Sequence, residues 1–289
     1  MASSSPVCAR TRQPAVFIPH GGGPRVILGH PGYAELVTWL KAFRKTYLKT
    51  TPDAIVIITA HWEENVPTIT SAAHPTMLYD YSGFAPEAYQ IQYPAPGHPQ
   101  LAHRIKSLLA EYGLPAKLDS TRGNDHGTFI PMKLMFPEAE VPTVQMSLYD
   151  TLDPEQHIKM GEALSSLRDD NILIIGSGLS FHSFKHFFGN KVKANRVSEP
   201  FHEFLVDALV HTTDPSERRK KMNQWLQAPY AREVHPREEH LMPLFVATGA
   251  GLHEPCQEIY SGLVMDIRTS GFLFGGESTS VPTTVDPQT

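Results

Sequence analysis

The sequence has few cysteines, no excess of basic residues and no long apolar run, and each shortage excludes a class of protein. Two cysteines, Cys8 and Cys256, occur in 289 residues, which excludes a disulfide framework and a cysteine-rich zinc module. The formal net charge is −5, so neither a nucleic-acid partner nor a membrane surface is expected. No segment approaches the roughly 20 apolar residues of a membrane-spanning helix. The N-terminal residues lack the apolar core of a secretory signal, which favours a cytoplasmic protein.

Apolar periodicity alternates between the strand and helix patterns along the chain. Short apolar runs at Ala15–Pro19, Ala54–Ala60 and Ile172–Ile175 are typical of buried strands. Apolar residues recur at helical spacing in Tyr33–Lys49 and in Pro99–Tyr112. This alternation predicts an α/β fold, a single domain with a central, mostly parallel or mixed sheet flanked by helices.

The boundaries of this domain are predicted from composition. Residues 1–14 are expected to be a disordered tail, residues 15–270 the folded domain, and residues 271–289 a flexible C-terminal tail rich in Gly, Ser, Thr and Pro. The last strand is predicted at Gln257–Ile267. A helix is predicted at Glu238–Ala250.

Histidine is abundant, with 15 residues against 25 lysines and arginines. Three histidines, His20, His61 and His182, come just after predicted buried strands. Ligands of open α/β sheets bind at the carboxyl ends of the strands, so these three side chains can meet although they are distant in sequence. Neutral imidazole is a common ligand of divalent iron and zinc. The spacing therefore indicates a metal site or an acid–base site.

Two further histidines have acidic neighbours. His126 lies in a turn-rich loop beside Asp125, which is expected to orient its ring. His240 lies at the start of the helix predicted from residue 238, where Glu238 or Glu239 is expected to orient it or to replace it as a ligand.

Other interpretations of these segments stay open or are excluded by spacing. A single histidine after a strand is more often a hydrogen-bonded loop residue than a ligand. The turn Gly21–Gly23 either presents N–H groups to an anion or only lets the chain turn tightly. The chain has no HExxH and no nucleotide-binding glycine pattern. The serine of Gly176–Gly178 is out of frame for a GxSxG elbow, which disfavours a serine hydrolase.

Six short segments, in this order and at this spacing, resemble the class III extradiol ring-cleavage dioxygenases, and most of all their DOPA 4,5-dioxygenase-like branch. The resemblance covers roughly residues 15–270. The segments are Pro19–Gly22 (PHGG), Thr59–Trp62 (TAHW), Tyr93–Gly97 (YPAPG), Asp125–Gly127 (DHG), Gly176–His182 (GSGLSFH) and Glu239–Leu244 (EHLMPL).

The resemblance implies a set of roles. The ligands of one non-heme iron(II), sometimes found replaced by zinc, match His20, His61 and His240, with His182 as a candidate fourth ligand. His182 also matches the acid–base histidine of the family, and His126 a second catalytic histidine that helps to bind and protonate the substrate. The implied reaction inserts both atoms of O2 into a catechol-type ring and gives a muconic semialdehyde. The implied partners are a small catecholic substrate and O2, with the enzyme a monomer or a small homo-oligomer.

The chain departs from the plant and bacterial DOPA-like proteins in Val234–His240, which is shorter here. That segment borders the substrate pocket in the family, so DOPA is not implied as the substrate. Two alternatives are a zinc-dependent, hydrolase-like enzyme at the same site and a non-catalytic binding protein that retains the fold. Candidate pocket walls are Trp62, Phe84, Tyr93 and Phe181.

Overall fold

The computed structural model describes residues 11–276, which form an α/β domain around an eight-stranded mixed sheet. The order of the strands in the sheet is β4-β3-β5-β2-β6-β1-β8-β7. The strands are β1 Ala15–Pro19, β2 Ala54–Glu64, β3 Thr68–Thr70, β4 Lys117–Asp119, β5 Thr143–Tyr149, β6 Ile172–Gly178, β7 Cys256–Val264 and β8 Ile267–Phe274.

The four central strands are parallel to one another. β2 pairs with both β5 and β6, and β6 pairs with β1, each in the parallel sense. β1, β5 and β6 are buried throughout, as expected for strands covered by helices on both faces. Their carboxyl ends consequently lie at one edge of the sheet, while the antiparallel pairs β3–β5, β1–β8 and β7–β8 complete its two sides.

Nine helices flank the sheet in the described part of the chain, together with short 3-10 turns. None of those within residues 11–276 is both long and apolar enough to cross a membrane. The helices are α1 Ala34–Tyr47, α2 Pro99–Glu111, α3 His126–Met135, α4 Pro154–Leu164, α5 Phe184–Phe187, α6 Lys191–Val206, α7 Pro215–Asn223, α8 Ala231–Val234 and α9 Met242–Ala250.

The predicted fold class is confirmed, but the ends of the domain differ from the prediction. The expected single last strand is a β7–β8 hairpin, and β8 continues to Phe274, beyond the predicted boundary at residue 270. At the other end, Gln13 is buried and its backbone N–H donates to the Arg168 carbonyl, so residues 11–14 do not all belong to a loose tail. The tails predicted at residues 1–10 and 277–289 lie outside the described residues.

Three site segments also differ in local structure. His61 lies within β2 rather than after it, because the strand continues to Glu64 past a shift in its pairing with β5. His126 is the first residue of α3 rather than a loop residue. The helix predicted from residue 238 begins at Met242, so His240 occupies the turn before it. The short strands β3 and β4 at one side of the sheet were not predicted, since three residues show no periodicity.

Helix α9 packs on α4 through two glycines. A Cβ atom on Gly161 would lie 2.0 Å from the Val246 carbonyl oxygen, and one on Gly249 would lie 2.0 Å from the Ile158 carbonyl oxygen. Because close-packed backbones cannot separate locally, these glycines set the distance between the helices. They thereby help to fix the position of α9, which begins two residues after His240.

We expect the Gly161→Ala variant to be less stable by about 1–3 kcal/mol, because the added methyl group overlaps the α9 backbone. The helix propensity of alanine acts in the opposite direction by only about 1 kcal/mol. The free energy of unfolding from urea titration measures the difference. Lys159→Ala, at an exposed position of the same helix, is the control. A Gly161→Ala variant as stable as this control would contradict the packing argument.

Candidate metal centre

The structure brings all five predicted histidines together at the carboxyl edge of the central strands. The ring of His20, just after β1, lies 4.9 Å from that of His61 in β2 and 5.3 Å from that of His240, centroid to centroid. The His61 and His126 rings are 3.8 Å apart, and the His182 and His240 rings stack at 3.5 Å. Side chains spread over 220 positions of sequence therefore form one cluster.

Two nitrogens in this cluster face each other at the distance expected for ligands of one ion. His20 Nε2 lies 3.2 Å from His61 Nε2. With metal–nitrogen bonds of about 2.0–2.1 Å, two nitrogens on the same tetrahedral or octahedral ion lie about 3.0–3.4 Å apart. Within residues 11–276, the groups whose donor atoms could hold a metal are His20, His61 and His126, and beside them His182, Glu239 and His240.

Ser177 fixes the proton of His20 on the nitrogen that faces away from this pair. The Ser177 hydroxyl donates to the Gly127 carbonyl oxygen at 2.5 Å, which uses its only proton. The same oxygen lies 3.0 Å from His20 Nδ1, so it accepts a hydrogen bond from an Nδ1–H group. A neutral His20 therefore carries its lone pair on Nε2, which is the form that binds metals.

Glu239 likewise fixes the protons of two histidines, His240 and His182, on Nδ1. Its Oε1 accepts from His240 Nδ1 at 2.9 Å and lies 3.2 Å from His182 Nδ1. Burial raises the pKa of Glu239, but the hydrogen bond from His182, a backbone hydrogen bond and the charges of His182 and Arg237 together leave that pKa below its ordinary value. The ionised carboxylate can only accept, so both rings are held with Nδ1 protonated and Nε2 free. Of the two predicted candidates, Glu239 is thus the orienting residue, while Glu238 pairs with Arg232.

Asp80 orients His126, a role that the sequence analysis gave to Asp125. Asp80 Oδ1 accepts from both the backbone N–H and the Nδ1 of His126, at 3.0 and 2.8 Å. Asp125 instead accepts from the Thr59 hydroxyl at 2.7 Å and contacts Arg122. Asp80 lies in a loop remote from His126 in sequence, and no local pattern connects the two positions.

Burial keeps His20, His61 and His240 neutral. Desolvation lowers the pKa of His20, His61 and His240 well below the ordinary value, and the neighbouring histidines lower it further. Neutral imidazoles packed nitrogen to nitrogen fit a divalent cation of the iron–zinc class, which replaces the missing protons as the positive charge.

The turn with His240 is joined to the loop after β6 by main-chain contacts. Leu179 N–H donates to the His240 carbonyl oxygen at 3.0 Å. A Cβ atom on Gly178 would lie 2.1 Å from that same oxygen, so a glycine is required there. The shortened segment before His240 also contacts the loop after β6. His182 N–H donates to the Val234 carbonyl, and buried His235 Nε2 lies 3.0 Å from the Ser180 carbonyl oxygen.

A cavity of about 640 Å³ opens over the cluster. Of the predicted aromatic walls, Phe84 lines it. Trp62 is buried beneath the Arg122 guanidinium instead, and Tyr93 and Phe181 belong to the core.

The glycine turn after His20 also borders this cavity. A Cβ atom on Gly22 would lie 2.2 Å from the Tyr33 hydroxyl oxygen, and Gly21 has a φ of +77°. Both observations favour the tight-turn interpretation over an anion site.

Comparison with known proteins agrees with this geometry. Residues 14–266 match the family described as the catalytic LigB subunit of aromatic ring-opening dioxygenase. The chain belongs to this family. It is an aromatic ring-opening dioxygenase, which implies a small aromatic substrate and O2, and its buried histidine cluster is a site that can bind the metal on which such enzymes depend.

Named relatives of the LigB family align over most of the chain. The protein named "Dioxygenase tasH" from Hapsidospora irregularis is 35% identical over 282 residues, covering 91% of this chain and 86% of the relative. The "4,5-DOPA dioxygenase extradiol" of Portulaca grandiflora is 34% identical, covering 81% of this chain and 85% of the relative. A crystal structure of an uncharacterised protein from Escherichia coli K12 superimposes with a TM-score of 0.68 at 28% identity, covering 91% of this chain and all of that one.

We expect Glu239→Gln to weaken metal binding about 10- to 100-fold, because the amide is a poorer, uncharged acceptor for the Nδ1–H groups of His240 and His182. Anaerobic titration of the metal-free protein with Zn²⁺ and Fe²⁺ measures this change. The neighbouring Glu238→Gln, whose carboxylate faces Arg232, is the matched control. Equal affinities in the two variants would show that Glu239 does not support the ligands.

Proposed function

We propose that the protein is an iron(II)-dependent extradiol dioxygenase that inserts both atoms of O2 into a catechol-type ring and yields a muconic semialdehyde. The observation that carries this proposal is the pair His20 Nε2 and His61 Nε2, which lie 3.2 Å apart with the His20 proton held elsewhere by Ser177. Membership of the LigB family supports it, as do relatives named for extradiol cleavage of DOPA.

We assign the third ligand to His240. Its ring lies 5.3 and 4.9 Å from those of His20 and His61, edge to face with both, and it occupies the ligand position that the family resemblance implies. The His126 ring instead lies beside that of His61, at 3.8 Å and 43°. His126 borders the cavity, as His61 and His240 do, and we assign it to the substrate because it matches the second catalytic histidine of the family. His182 remains the candidate fourth ligand, since its ring stacks on His240.

The residues of the chain supply the proton chemistry. With Nδ1–H held by Glu239, His182 presents an unprotonated Nε2 that can take a proton from a catechol hydroxyl, and the carboxylate stabilises the imidazolium that results. His126, held by Asp80, is placed to bind and protonate the substrate from the other side of the cavity. When bound, iron(II) supplies a redox-active centre through which electrons pass from the ring to O2, chemistry that zinc lacks.

The His61→Ala variant is expected to lose at least 100-fold in catechol-dependent oxygen uptake, because one ligand of the ion is removed. An oxygen electrode, with the yellow semialdehyde followed by absorbance, measures the loss after anaerobic loading with iron(II). His103→Ala, an exposed histidine of α2, is the control and keeps full activity. Turnover without oxygen, supported by zinc, would instead favour the hydrolase-like alternative. A protein that binds no metal and turns nothing over would favour the binding protein.

The His182→Gln variant separates an acid–base role from a ligand role. We expect kcat to fall by 10²–10⁴-fold while the affinity for iron(II) changes little, because the base is lost but the three ligands remain. Single-turnover kinetics and an anaerobic metal titration give the two quantities. A loss of metal affinity as large as that of His61→Ala would show that His182 is a ligand.

A further inference from the structure

The cavity over the histidine cluster continues past the reacting centre along an apolar wall. Its volume of about 640 Å³ is in the range of sites that enclose drug-sized ligands, so it has space for more than one aromatic ring. We call the following residues of its lining the apolar wall: Leu179, Phe184, Phe187, Phe188, Val264 and Met265.

The apolar wall begins at the proposed base. The Phe184 ring lies 5.1 Å from that of His182, edge to face, and the Phe187 ring lies 6.3 Å from it. His182 in turn stacks on His240. A substituent on a substrate ring that places a hydroxyl near His182 can therefore lie against these phenyl groups.

Two of these phenyl groups contribute little to the folded core. Phe184 and Phe188 are 66% and 67% exposed, and their rings are parallel, 6.1 Å apart. Large apolar side chains exposed side by side at the rim of a cavity gain free energy when a ligand covers them, which is typical of a binding surface. Phe187, by contrast, is largely buried and packs against Phe181.

Two arginines also line the cavity, and one of them, Arg237, is already paired. Arg237 binds Glu63 through both of its terminal nitrogens and also lies 3.6 Å from Glu239. The guanidinium of Arg25 lies over the Phe84 ring at 5.6 Å. An amino-acid substituent needs an acceptor for its ammonium group and a donor for its carboxylate, and the side chains of the apolar wall offer neither.

Resting on the proposed ring cleavage, we propose that the substrate is a catechol with an apolar substituent, alkyl or aryl, and that Phe184 and Phe188 select it. The substituent lies along the apolar wall while the diol faces the histidine cluster. An amino-acid side chain such as that of DOPA gains nothing from the same surface.

The test compares catechol, 4-methylcatechol, 4-n-butylcatechol and DOPA on the iron(II)-loaded enzyme. We expect kcat/KM to rise up to about fourfold for each buried methylene, and DOPA to be no better than catechol. In the double variant Phe184→Ala/Phe188→Ala, the advantage of butylcatechol over catechol falls about tenfold. Tyr112→Ala, an exposed aromatic at the end of α2, is the matched control and keeps the advantage.

Calorimetry measures binding without turnover and so tests the apolar site independently of the proposed ring cleavage. Butylcatechol should bind more tightly than catechol to the metal-free protein and, without oxygen, to the loaded enzyme. If no catechol is turned over but this difference is present and is lost in the double variant, the ring cleavage fails and the apolar site stands. Equal binding of the two catechols, or an advantage unchanged by the double variant, overturns the apolar site. A preference for DOPA over catechol that is lost in the Arg25→Gln variant also overturns the apolar site.

Discussion

The parallel pairing of β6 with both β1 and β2 is the constraint on which the site depends. It places the ends of strands up to 159 residues apart in sequence in adjacent positions, so His20, His61 and His182 emerge at one edge. The pairing is stable because these strands are apolar on both faces and are covered by helices. A metal site of this kind needs no helix-borne motif, since the sheet itself supplies the alignment.

The hydrogen-bond partners of the histidines determine what those aligned residues can do. Ser177, Glu239 and Asp80 each take up the Nδ1 side of a ring. The Nε2 atoms are therefore left for a cation or a substrate proton, and burial keeps His20 and His240 uncharged. Reactivity here follows from where each proton is held rather than from the number of histidines alone.

The fold and three of the histidines, His20, His61 and His182, could be predicted from sequence because apolar runs locate strand ends. His126 and His240 were predicted from their acidic neighbours and from the family resemblance instead. The partners were harder to predict. Asp80 lies in an irregular loop, and the segment around Ser177 matches no local motif. No pattern within a short stretch of sequence therefore identifies Asp80 as the partner of His126 or Ser177 as the partner of His20. The prediction that Asp125 orients His126 is wrong, because adjacency in sequence does not guarantee contact. As the N-cap of α3, Asp125 points toward Thr59. The β7–β8 hairpin was predicted as one strand because both arms are apolar and the turn between them is short.

The main-chain junction between the loop after β6 and the residue at position 240 has an evolutionary consequence. The backbone of His240 is held by Leu179 N–H against Gly178, and this contact does not involve the imidazole. Another residue with a metal-binding side chain of similar length can therefore replace histidine at this position without a shift of the backbone. Such a substitution would allow related enzymes to change the chemistry of the ligand set at one residue while the surrounding structure is kept.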